Sequence, residues 1–170
     1  MVTLSISTSI NAPIERVFDL ARSIELHTRS TATTGERAIA GVTSGLIGLN
    51  EEVTWRARHF GVWQSLTVKI IAYERPFHFA DEMLQGAFKR MRHDHYFESI
   101  KTGTLMRDEF SFEAPYGILG RMVEVVVLKN YMQRFLIARN QVLKSTAESD
   151  DWARYIPAQR QLENGNARCI

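Results

Sequence analysis

The stretch TLSISTSINAPIERVFDLARS, residues 3–23, decides how the rest of the chain is read. Its first half alternates: Leu4, Ile6, Thr8 and Ile10 share one parity, and serine or threonine hydroxyls hold the other. Successive side chains of an extended backbone point to opposite faces, so this pattern predicts a half-buried strand. Asn11-Ala12-Pro13 stops it. Proline has no amide hydrogen to lose at the first helical position, which places Pro13 at a helix start with Asn11 or Ala12 near the cap. The period then changes, and Ile14, Val17, Phe18 and Ala21 fall on one helical face. A second short helix is expected over IELHTRST, residues 24–31. Neither helix is long enough to persist alone in water, so both must be held by packing.

Beyond these helices the chain loosens and then becomes extended. Residues 35–50 carry Gly35, Gly41, Gly45 and Gly48 and read as a mobile loop. They contain no glycine-rich phosphate motif. From Glu51 to Pro115, five extended segments are punctuated by Gly61, Pro76, Gly86 and Gly103. Short connections between such segments predict an antiparallel meander. From Tyr116 to Ser145 the period is helical again, with Ile118, Leu119, Met122, Val126, Met132, Phe135, Leu136 and Leu143 on one stripe and YGILG as an opening turn. The expected class is α+β: a curved antiparallel sheet of six to seven strands wrapped around a long C-terminal helix, with two short helices after the first strand. One helix covers only one face of such a sheet, and a cavity between the two is the packing consequence. Residues 1–145 would form this domain. Residues 146–170 are polar and read as an extension, with Trp152 and Tyr155 as anchors to the same chain or a neighbour.

Composition narrows the function. The 170 residues are 45% hydrophobic and 24% charged, with a net charge of +2 and no basic run, so nucleic-acid binding is not indicated. No stretch is long and apolar enough for stable membrane insertion. The single cysteine, Cys169, forms no internal disulfide and fits no metal pattern, which favours a cytoplasmic location. Whether the chain forms a homodimer is left open.

The segment INAPIERVFDLARS, after a first strand and before a meander and a long helix, resembles the START-like (SRPBCC) superfamily, the helix-grip fold of birch-pollen allergens and lipid-transfer domains. The blocks VTWRARHFG, DEM, HDHYFE and DEFSFEAPYGILG resemble a bacterial branch of it that is labelled polyketide cyclase/dehydrase. The resemblance covers roughly residues 1–145. It implies a hydrophobic small-molecule pocket more firmly than it implies a reaction.

Parity sorts the residues that would face that pocket. The odd positions of HDHYFE, residues 93–98, carry His93, His95 and Phe97 inward with Met91, leaving Arg92, Asp94 and Glu98 outside. The other strands add Trp55 and His59; Val62 and Gln64; Asp81 and Met83; and Met106, Asp108 and Phe110. Met122 and Phe135 come from the helix, whose basic residues read as its solvated side. Facing residues on paired strands lie about 5 Å apart at Cβ, so Asp81, His93 or His95, and Asp108 can meet. Each buried carboxylate needs a partner, and the imidazoles are the nearest.

Binding of a hydrophobic small molecule of lipid, polyketide or aromatic type is therefore the first expectation. The second is a cofactor-free cyclase or dehydratase using His93, His95, Asp81 and Asp108 as acid–base groups. A regulatory or interaction module using the C-terminal extension is the third. His-x-His on one strand face lets two rings reach one ion, but spacing alone is weak, and neither metal nor cofactor is expected.

Overall fold

The alternation at the N-terminus becomes β1 (Val2–Ile10), with Leu4, Thr8 and Ile10 buried. Pro13 caps α1 (Ile14–Ala21) rather than opening it. Ser23 caps α2 (Ile24–Ser30), its Oγ accepting the Leu26 amide at 3.3 Å. The computed structural model describes residues 1–114 and 127–158. Met122, the rest of the expected helical stripe before residue 127, the YGILG turn and Cys169 lie outside them.

The meander consists of β2 (Arg37–Gly41), β3 (Glu52–His59), β4 (Val62–Glu74), β5 (His78–Gln85), β6 (Arg90–Ile100) and β7 (Gly103–Glu113). With β1 they form one sheet, ordered β1-β7-β6-β5-β4-β3-β2, antiparallel at every pairing. Irregular register at Thr67/Val68 and at Ile70/Ala72, between β4 and β5, marks bulges, which bend a strand and raise its twist. The tight β6–β7 turn depends on Gly103: at φ 132° a Cβ would stand 2.3 Å from the Ile10 carbonyl oxygen.

Two local expectations change. β2 lies inside the glycine-rich segment read as a loop. It is an edge strand paired only with β3 and mostly exposed, so it shows no clear apolar alternation. Parity places Val62 inward, but the residue is 61% exposed, opposite His59 at the turn end of the β3–β4 hairpin.

The long helix, α3 (Lys129–Ala147), packs against β1, α1 and α2 and buries Met132, Leu136, Leu143 and Ala147. Between α1 and the sheet, Phe18 meets Tyr73, Phe79 and Phe97 edge-on at 5.3–5.5 Å. Beneath that cluster the fully buried Asp19 joins Arg22 and Arg75 at 2.7 Å each. Thr146 and Ala147, which polarity alone groups with the extension, complete α3, and a 3₁₀ turn over Asp150–Arg154 folds back onto the short helices. Arg16 lies over the Trp152 ring at 4.3 Å, Arg29 Nη1 donates to the Tyr155 hydroxyl at 2.7 Å, and Ile156 joins the core. Among the described residues no helix is long and apolar enough to cross a membrane.

Candidate functional site

Register across three strands builds the polar centre. Asp81 of β5 stands opposite His93 of β6, and His95 stands opposite Asp108 of β7. Facing residues share a side of the sheet, so all four point to the side covered by α3. Asp108 is the hub. Its Oδ1 accepts from His95 Nδ1 at 2.6 Å and from His93 Nε2 at 3.1 Å, and its Oδ2 accepts from Asn140 Nδ2 of α3 at 2.6 Å. His95 Nε2 lies 3.5 Å from Asp81 Oδ1. The two imidazole centroids are 3.8 Å apart, and Phe79 stacks on His95 at 4.3 Å.

The charge states follow from these partners. Burial alone would raise the Asp108 carboxyl, but hydrogen bonds from His93 and His95 hold it well below the usual carboxylate range. An ionised carboxylate only accepts, so the ring nitrogens facing it carry protons. Burial opposes a charge on His95, yet its bonds to Asp108 and Asp81 raise its pKa above the usual histidine value. Burial and the neighbouring charge of His95 push His93 down to about 4. His93 is therefore neutral at pH 7, with its proton on Nε2 and a lone pair on Nδ1. Asp81 stays ionised below its ordinary value: burial raises it, and His95 and His93 more than offset that. Two adjacent imidazoles thus have their pKa values displaced in opposite directions.

Next to this cluster lies a cavity of about 110 Å³ between the sheet and α3. Trp55, Ile70, Met91 and Phe110 line it from the sheet, and Met132 and Leu136 from the helix. Its polar wall holds Asp81, His93 and His95, together with Arg139, Glu36 and His27. His27 stacks on Trp55 at 4.0 Å and bonds Glu36 at 3.2 Å. Burial would raise the Glu36 carboxyl, but the charges of His27, His59 and Arg139 hold it below the ordinary glutamate value.

The other residues expected at the pocket are distributed as follows. Phe135 lines the cavity. His59 stands outside its lining, where Nδ1 bonds the Tyr131 hydroxyl at 2.6 Å. Gln64, opposite Ala57, and Met83, opposite Val68, are half-buried off the cavity. Phe97 and Met106 face each other in the register but are core, with Phe97 packed on Phe18. Asp94 occupies the outer face, as parity requires, yet is itself largely covered by His78 at 3.0 Å and Arg92 at 2.7 Å.

Sequence reasoning misses His27 and Glu36, which lie in segments it reads as a short helix and a loop, and also Arg139 and Asn140, since it assigns the helix's basic residues to its outer side. The signal is an interrupted stripe: Met132, Leu136, Leu143 and Ala147 are buried, and the turn between Leu136 and Leu143 presents Arg139 and Asn140 to the same side. Donor atoms of Asp81, His93 and His95 lie within 4.8 Å of one another, close enough to converge on one ion. In the arrangement present, His95 Nε2 is turned toward Asp81 and is satisfied by a proton.

No protein-family model and no curated protein matches the chain. Solved structures do. A protein from Thermus thermophilus, TTHA0849, superposes with a TM-score of 0.71 at 17% identity, covering 86% of this chain and 97% of the other. A START superfamily protein from Mycobacterium smegmatis gives 0.65 at 13% identity over 86% and 97%. The major latex-like protein 151 of Panax ginseng gives 0.63 at 15% identity over 87% and 98%. Similarity at this level concerns the fold, and the fold of this chain is the START-like helix grip.

Proposed function

We propose that the protein binds a hydrophobic small molecule between the sheet and α3. The observation that carries the reading is the cavity itself: an apolar hollow walled by Trp55, Ile70, Phe110 and Leu136, with polar groups converging from one side. Apolar walls supply affinity and a few placed polar groups supply orientation. A volume of about 110 Å³ favours an aromatic ring or a short chain over a long lipid or a large polyketide; an engineered cavity of about 150 Å³ holds benzene. Native mass spectrometry of protein purified without denaturation tests the reading, together with thermal shift against small aromatic and aliphatic compounds. A retained mass or a ligand-dependent rise in Tm supports it. No adduct and no shift with any compound would remove it.

A second reading draws on the opposite pKa shifts of His93 and His95. An imidazole whose pKa is lowered beside one whose pKa is raised places a base next to a group that holds its proton more tightly, a pairing that enolisation or dehydration uses. Cyclase- or dehydratase-type turnover would then depend on both rings and on Asp108.

A further inference from the structure

We infer that the ligand is an acid, with its apolar body in the cavity and a carboxylate seated on Arg139. This inference rests on the binding function proposed above and specifies its ligand. Arg139 is 8% exposed and lines the cavity, one helical turn beyond Leu136 and Phe135. Among the described residues its guanidinium has no hydrogen bond and no ion pair, although its charge is felt at Glu36, Asp81 and His95. The other buried arginine, Arg22, by contrast has partners for its charge: Asp19 stands at 2.7 Å and the Ile47 carbonyl at 2.6 Å. A desolvated cation without a partner is costly, so a missing partner is the simplest account of Arg139.

The carboxylates already present lean on the histidines. Glu36 bonds His27, Asp108 takes three donors, and Asp81 faces His95. The five donors of Arg139 are not engaged. A planar guanidinium matches a carboxylate with two parallel bonds, which sets the chemistry of the head group. An amine or metal cation there would meet the positive charge of Arg139. The apolar lining and the volume of about 110 Å³ set the body: an aryl or short aliphatic acid.

The test is calorimetric titration at pH 7 with phenylacetate and with 2-phenylethanol, which share a carbon skeleton and differ in charge. The intact protein should bind phenylacetate at least about tenfold more tightly, the scale of a charge-assisted bond. In Arg139→Gln that advantage should vanish, the two ligands binding within about twofold of each other. Arg139→Lys should keep part of the preference, because charge remains while the planar fork is lost. If 2-phenylethanol binds the intact protein as well as phenylacetate does, the acid is wrong and the binding function stands. If phenylacetate keeps its full advantage in Arg139→Gln, the seat is wrong. Should neither compound bind the intact protein, the aryl acid is overturned, and the binding function stands or falls by native mass spectrometry and the wider thermal-shift series. Should Arg139→Gln not fold, the wild-type pair and Arg139→Lys still decide the outcome.

Discussion

Each face of β6 contributes one member of a histidine–aspartate pair shared with a neighbouring strand, and the two pairs behave differently. On the inner face His95 and Asp108 are 2% and 1% exposed, 2.6 Å apart, with His93, Asp81 and Asn140 completing a closed network. On the outer face His78 and Asp94 are 3.0 Å apart with side chains 20% and 11% exposed. Arg92 caps that carboxylate, and Tyr96 stacks on His78 at 4.6 Å and lies under Arg107 at 4.5 Å. The residue types are the same and the distances similar. Burial separates them: inside, each charge survives only through its partners, whereas outside water can take a partner's place.

The largest break in this comparison should come from the two aspartates. Asp108→Asn removes the buried carboxylate that both His93 and His95 face and should cost about 3–5 kcal/mol in denaturant unfolding. Asp94→Asn should cost about 1 kcal/mol or less. Equal costs would mean that the inner network is as solvated as the outer one.

Acid titration should sharpen the contrast between the inner rings. His93 is held neutral, with its pKa pushed from 6.5 to about 4 by burial and by His95. Between those values the unfolded chain takes up a proton that the folded chain refuses. Stability from this group is therefore complete above pH 6.5 and declines as pH falls toward 4, by on the order of 3 kcal/mol. His93→Gln should flatten that slope in a series of Tm values between pH 7 and pH 4. His95 has the opposite sign: its raised pKa stabilises the fold below 6.5, and the contribution fades as pH rises through its folded value. The contribution of Asp108 is complete above 3.8 and is lost only as pH falls through its depressed value.

Smaller effects follow from the groups that hold each pair in place. Asn140→Ala removes the donor to Asp108 Oδ2 and should cost about 1–3 kcal/mol by thermal or chemical unfolding. His78→Gln removes the partly exposed outer partner and should cost about 0.5 kcal/mol. A larger loss for His78→Gln than for Asn140→Ala would invert the ranking of the two faces.

Much of the fold was legible because it depends on short-range periods. Residues 3–10 alternate and form β1, and 14–21 repeat every three or four and form α1. HDHYFE sorted into two faces by parity alone, sending His93 and His95 in and Asp94 out. Parity misled at the turn end of a hairpin, at Val62, and where an edge strand had little to bury, at β2. The polar composition of 146–158 conceals how that segment is attached. Trp152, Tyr155 and Ile156 are enough to hold it against the α1–α2 surface.

By itself, then, the order of the residues settled the elements, their succession and the faces of each strand, because a backbone repeats every two or 3.6 residues whatever lies around it. Tertiary structure decided which carboxylate each imidazole meets. Strand register set Asp108 against His95, and helix packing brought Asn140 onto the same carboxylate and Arg139 into the cavity wall. Those outcomes depend on contacts between residues far apart in the chain, and no local repeat encodes them.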